Sequence, residues 1–201
     1  MFHVLAFARP VSLSCDSSGR SCRHRFNSLL NDDENFSSGY PIMNERQRLQ
    51  DQDSQERAAA AEALSQMGPD AAFAAVELVK ACADEDAVSQ WAVSALEELG
   101  PPPVESLGEL TTLAAADHAL VAYWAITLLG RSGEAAHSSQ EELASILRSP
   151  AEMSVRQRAA WALGEINAAS DVAIGALEEA AKSPDARLAR LANASLEKSR
   201  T

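Results

Sequence analysis

Catalysis or metal binding needs nucleophiles, acid–base groups or ligands at fixed spacing, and this chain offers few. Its four histidines are His3, His24, His118 and His137, and none is followed by glutamate, so no His-Glu pair is available to hold iron on a helix. Cys22-Arg23-His24 joins two metal-ligand types, but the patterned part of the chain supplies no second pair, and chance accounts for the match. Cys82 stands between Ala81 and Ala83 and reads as a small buried thiol without chemistry. No helix-borne zinc signature, phosphate loop or Gly-x-Ser-x-Gly elbow is present. The expectation is a protein with no catalytic residue, no cofactor and no metal.

Charge and aromatic surface are what remain for binding. The formal net charge is −12, which opposes nucleic acid and anionic membrane faces as partners. From Arg46 to Leu147 there are 5 basic and 17 acidic residues, whereas from Arg148 onward there are 8 and 7, so the acidity is concentrated in one part. Within it Glu77, Glu109 and Glu142 recur one structural unit apart, reinforced by Glu105, Glu141, Glu178 and Glu179. Such a column suits a groove for a basic helix or peptide. The same residues equally suit a solvated helix face. Trp91, Tyr123, Trp124 and Trp161 form an aromatic set whose default role is packing between neighbouring helices. Arg156, Arg158, Arg187 and Arg190 fall on the last two helices of the same kind, facing the convex side or the C-terminal end.

The elements that position these residues follow from a repeat. Leu64, Leu96, Leu129, Leu163 and Leu196 are separated by 32, 33, 34 and 33 residues. Four positions before each stands an alanine: Ala60, Ala92, Ala125, Ala159 and Ala192. Eight positions before stand Glu56, Val88, Val121, Val155 and Leu188, and fourteen positions after the first four come Leu78, Leu110, Leu143 and Leu177. Offsets of four residues lie on one helical face. Gly68, Gly100, Gly133 and Asn167 follow the leucines by four and are residue types that accept a left-handed helix end. Each unit is an A helix, a break and a B helix. Helix starts are expected at Ser149-Pro150-Ala151-Glu152, as a capping box, at Ser183-Pro184-Asp185, and at Asp84 and Asp117. A helices are predicted near 54–67, 85–99, 118–131, 151–166 and 184–199, and B helices near 70–82, 103–114, 138–148 and 171–182. The last A helix caps the stack with Leu188, Leu191, Ala192 and Leu196 inward and Arg187, Arg190 and Lys198 outward.

Alanine-rich, aromatic-poor composition fits helix on helix. The fold class is all-α: a short right-handed α-solenoid of about four and a half helix pairs over 44–201, behind a disordered tail over 1–43. That tail is rich in Ser, Asn, Asp, Arg and Gly and lacks apolar periodicity. Its opening Met1–Leu13 reads as a false signal peptide, because Arg9-Pro10 interrupts it, and Met43 is a candidate translation start. Cys15, Cys22 and Cys82 form no even disulfide framework, so a reducing cytoplasm is the expected setting.

One segment carries a family likeness. Val155-Arg156-Gln157-Arg158-Ala159-Ala160-Trp161-Ala162-Leu163-Gly164-Glu165-Ile166 resembles the core of a HEAT repeat of the phycobilisome-lyase-like kind, with weaker copies at Trp91–Gly100 and Trp124–Gly133. The resemblance spans about 54–200 and implies the fold; it implies little about activity, because this repeat serves many functions. In that family the arginine matching Arg156 more often supports inter-repeat packing than ligand capture. Deoxyhypusine hydroxylase resembles such a stack and binds iron through His-Glu pairs, which this chain lacks. HEAT-like DNA glycosylases use a basic groove, which the acidity here opposes. The leading expectation is a non-catalytic module binding a protein partner, with a basic segment on the concave B-helix face. The alternatives are a bilin-lyase-like maturation factor and a structural subunit of a larger assembly.

Overall fold

A computed structural model describes residues 45–199. The tail expected over 1–43, with Cys15, Cys22, Met43 and the Met1–Leu13 segment, lies outside the described residues. After a helical turn over 45–48 the chain forms α1 (Ser54–Met67), α2 (Ala75–Ala81), α3 (Asp86–Glu98), α4 (Leu107–Ala114), α5 (Ala119–Arg131), α6 (Gln140–Arg148), α7 (Met153–Glu165), α8 (Asp171–Ala180) and α9 (Ala186–Lys198). No strand occurs among the described residues. The odd-numbered helices are the A helices and the even-numbered ones the B helices, which among the described residues make four pairs followed by α9.

The residues that recur in the sequence are the ones the fold buries. Leu64, Leu96, Leu129 and Leu163, the five register alanines, and Leu78, Leu110, Leu143 and Leu177 are all 0% exposed. Val88, Val121, Val155 and Leu188 are buried beside them. Glu56 breaks that column: it is exposed and accepts from Arg48. Alanine at the closest point of each A helix leaves no side chain to hold neighbours apart. The continuous interior therefore runs along the stack and not into one centre.

Two glycines tighten this stacking. A Cβ on Gly130 of α5 would stand 2.5 Å from the ring of Trp161 on α7. One on Gly164 of α7 would collide with the side chain and Cα of Ser195 on α9. The approach of α9 is fixed further by Ser195, whose hydroxyl donates to the Ala160 carbonyl at 2.7 Å.

Helix ends follow the predicted registers in three of four cases. Gly68 (φ 56°), Gly133 (φ 55°) and Asn167 (φ 52°) all take positive φ, with ψ −129° at Gly68. After Asn167 the Ala168 N–H donates back to the Leu163 carbonyl at 3.0 Å, which satisfies an orphan helix-end acceptor. Gly100 is the exception: α3 ends at Glu98 and Leu99 is extended (φ −66°, ψ 131°). A residue preceding proline is pushed toward extended backbone, and Pro101-Pro102-Pro103 follows Gly100 directly. The freed carbonyls are served instead by Arg131 of the next A helix, whose Nη1 donates to Leu96 and Leu99 at 2.7 Å and whose Nη2 donates to Glu97 at 3.2 Å. A cation at a helix C-terminus is also favoured by the helix dipole.

Helix starts depart further from expectation. Ser149 does not cap α7: its hydroxyl accepts from Ala151 at 3.2 Å and donates to Ile146, and the helix begins only at Met153, behind Glu152. Asp185, not Ser183, caps α9 by accepting from Leu188 at 2.6 Å. His118 and Glu85 occupy the N-cap positions expected for Asp117 and Asp84. Asp84 is engaged elsewhere, held by Arg57 of α1 through two hydrogen bonds of 2.6 and 2.7 Å. The first three B helices start later than predicted because Gly68–Ala74, Val104–Ser106 and Gly133–Ser139 form 3-10 turns first, whereas α8 starts at the predicted Asp171. In the first two of these breaks a proline removes a backbone donor and favours a turn over a continued helix.

Stacking is uneven. The A-helix backbones pack closely at α1–α3, α5–α7 and α7–α9, whereas α3 and α5 scarcely meet, and α5 rests instead on α4 and α2. That junction is spanned by Arg131, whose guanidinium also lies 5.8 Å from the centre of the buried Trp124 ring.

Two measurements check this account. Gly164→Ala collides with backbone and should lower stability in urea unfolding by about 1–3 kcal/mol. Gly130→Ala meets only a ring edge that can shift, and should cost less. Arg57 beside Asp84 holds that carboxyl below its ordinary value, so the pair stabilises the fold above the unfolded-state pKa of about 3.9 and loses that contribution as pH falls through the lower folded value. Asp84→Asn should therefore be less stable than wild type at neutral pH, with the two converging in acid.

Candidate interaction surface

The predicted acidic column exists in register, but its members occupy different environments. Glu77 on α2 is buried at 8% exposure and accepts from Arg46 at 2.8 Å. Its second carboxylate oxygen has no hydrogen-bond partner among the described residues. Glu109 on α4 is exposed and paired with Lys80 at 2.5 Å. Glu142 on α6 is half-buried, and Glu105 and Glu141 are exposed. At the fourth position the column ends in buried Ala176. Nearby Glu179 is taken by Arg148 in a two-bond pair of 2.9 Å each, and the Arg148 hydrogen bond holds its carboxyl below the ordinary value.

Position along the helices explains part of the pattern. With the 3-10 turns excluded, Glu77, Glu109, Glu141 and Glu142 all fall in the first turn of a B helix. Those starts lack side-chain caps, so a carboxylate there is favoured by the positive dipole end. The column thus lies toward the N-terminal edge of the B layer. Placing the helix starts at 70 and 103 hid this from sequence reasoning.

Beside Glu142 the surface opens into a cavity of about 410 Å³ whose polar wall includes Asp117, Glu142, Ser145 and Glu152 and whose floor includes Ala122, Ile146 and Val155. It sits where the third repeat meets the fourth. Asp117 and Glu152, in the loops before α5 and α7, extend the acidic surface in a way that helix-register reasoning did not reveal. No group of three His, Cys, Asp or Glu among the described residues is arranged to hold a metal ion.

The aromatic set divides. Trp124 is buried, with Tyr123 edge-on to it at 5.7 Å, and its indole N–H has no hydrogen-bond partner among the described residues. Trp161 is half-buried on Gly130, and Trp91 is 38% exposed. Arg156 ties its repeat to the preceding one, donating from α7 to the carbonyl of Leu147 on α6 at 3.0 Å. Cys82 is buried, and desolvation pushes its thiol up to about 12, which leaves it protonated and unreactive.

Residues 107–197, from α4 to the end of α9, match the family of HEAT repeats. The match begins at α4, just past the junction where α3 scarcely meets α5. Among solved structures, the chain is similar to an engineered protein at 21% identity, with a TM-score of 0.56 over 79% of this chain and 80% of that one. It is equally similar to a designed armadillo repeat protein solved with the peptide (KR)4, at 17% identity, a TM-score of 0.56, and coverage of 79% and 81%. No curated protein matches the chain. Fold and comparisons together define a helical repeat stack of the HEAT and armadillo type, an architecture typical of protein-interaction scaffolds and generally non-enzymatic. No helix among the described residues is long and apolar enough to cross a membrane.

The Arg46–Glu77 contact ties the first helical turn to α2. Removing the cation leaves a buried carboxylate without its partner, so Arg46→Ala should cost about 1–3 kcal/mol in thermal or urea unfolding. Arg46→Lys, which keeps the charge, should recover part of the loss.

Proposed function

We propose that the protein is a non-catalytic interaction module that receives a basic segment of a protein partner on the concave, B-helix side. The observation that carries this reading is the acidic surface at Glu105, Glu109, Glu141, Glu142, Asp117 and Glu152. Of these only Glu109 has a cationic partner among the described residues, so the field of the others is left for a ligand. Glu77 contributes register but not contact, since it is already buried against Arg46. A preformed repeat surface loses little ordering entropy when a peptide docks. A neighbour of the same fold was solved with an alternating Lys-Arg peptide, which supports the choice of a basic ligand. The cavity at Glu142 is large enough for a long basic side chain. The proposed setting is a reducing cytoplasm, which would keep the thiol of Cys82 free. The phycobilisome-lyase-like subtype suggested by Val155–Ile166 stays part of the proposal at the level of repeat type alone.

The experiment is a fluorescence-anisotropy titration of the full chain with a labelled (KR)4 peptide. Binding should weaken steeply as salt rises, because exposed charges are screened over about 8 Å at physiological ionic strength. The triple variant Glu105→Lys, Glu109→Lys, Glu142→Lys should lose binding by at least about tenfold while its circular dichroism is unchanged, because these residues are not in the core. Equal affinity for wild type and variant would refute the acidic surface. A visible-spectrum shift on mixing with a bilin would favour the lyase-like alternative instead.

A further inference from the structure

On the A-helix side, a second and oppositely charged feature is built from three successive helices. Tyr123 of α5, Ser154, Gln157, Arg158 and Trp161 of α7, and Arg187 and Leu191 of α9 line a cleft of about 390 Å³. Its construction starts at Gly130, which has no side chain and so lets the Trp161 ring lie against α5. Trp161 in turn provides one wall for the Arg158 guanidinium, 5.0 Å from its ring centre, and Tyr123 provides another at 4.4 Å. One Arg158 N–H group donates to the Tyr123 hydroxyl. No carboxylate among the described residues pairs with this half-buried cation. Its remaining N–H donors have no protein acceptor there.

Arg187 faces the same cleft from the next repeat. Burial, and then the nearby Arg187 charge, lower the proton affinity of Arg158; Arg187 itself feels the charge of Asp185, but no carboxylate is hydrogen-bonded to either guanidinium among the described residues. The carboxylate adjoining them, Asp185, is already engaged: it accepts from Leu188 at 2.6 Å and from Gln157 at 3.0 Å as the cap of α9. A guanidinium held against two rings still carries an edge of N–H donors beyond the one bonded to Tyr123. That edge is suited to an acceptor group with two or more oxygens, and a second cation favours a doubly charged one.

We infer that the Tyr123–Arg158–Trp161–Arg187 cleft is a binding site for a phosphate monoester dianion. The phosphoryl oxygens would take the free N–H edge of Arg158 and the side chain of Arg187, with Ser154 as a further donor. The organic part of the ester would lie along Leu191 and the Trp161 ring. This site is independent of the acidic B-helix surface and stands whether or not a basic peptide binds there.

The test is a titration of the full chain with phenyl phosphate, inorganic phosphate and benzoate, read by tryptophan fluorescence and by calorimetry. Phenyl phosphate should give a saturable change at millimolar concentrations or below, and benzoate, a monoanion of similar shape, should bind at least about tenfold more weakly. Inorganic phosphate matching phenyl phosphate would show that the phosphoryl group alone is read; weaker binding would show that the ester group contributes. Arg187→Gln changes an exposed side chain and leaves the fold intact, so about tenfold weaker phenyl phosphate binding in that variant is the decisive result. Arg158→Gln should bind still more weakly, with circular dichroism reporting that its helices persist. No saturable signal with either phosphate, unchanged affinity in Arg187→Gln, or benzoate binding as tightly as phenyl phosphate would each overturn the assignment.

Discussion

The structure depends on one constraint: where one A helix packs on the next, as at α1–α3, α5–α7 and α7–α9, the two must come close enough to share a buried seam, and small residues line it. The five register alanines, Gly130 and Gly164 enforce it, and the leucines at 0% exposure fill the space on either side. Polar ties obey the same rule. Arg46–Glu77, Lys80–Glu109, Arg148–Glu179 and Lys198–Glu165 join residues 31, 29, 31 and 33 apart in sequence, about one repeat each. The surface pairs contribute little individually. Their value is that each helps to fix the register of one unit against its neighbour.

The sequence made this architecture legible because solenoid stacking is periodic, and a period survives in a single chain. The leucine and alanine columns, the positive-φ ends at Gly68, Gly133 and Asn167, and the polar outer side of α9 could all be read from spacing. What could not be read was anything that depended on competition between local signals. Ser149 looked like a cap, but proline and the following turn delayed α7 to Met153. Gly100 looked like a left-handed end, but Pro101 held the backbone extended. Arg131 carries no motif at all, yet it crosses between repeats to close the exposed end of α3.

The same limit applied to the surface. Counting from the B-helix leucines found the right glutamates but treated them as equivalent. Their differences come from tertiary neighbours: Glu77 meets Arg46, Glu109 meets Lys80, and Glu142 opens onto a cavity with Asp117 and Glu152. The Arg158 cleft was less visible still. Its parts lie on three helices, with Tyr123 and Arg158 separated by 35 residues, and only the seating of Trp161 on Gly130 brings them to one place. The acidic B-helix surface and the cationic A-helix cleft give the molecule two faces of opposite character on one scaffold.

The sparse contact between α3 and α5 has a mechanical consequence. In a chain whose units touch only their neighbours, tension applied at the two ends passes through every seam in series. The seam with the least shared backbone then carries the load on a handful of side chains, chiefly Arg131 and its three carbonyl acceptors. Extension would begin there, parting α1–α3 from α4–α9 as two intact blocks before either block unravels.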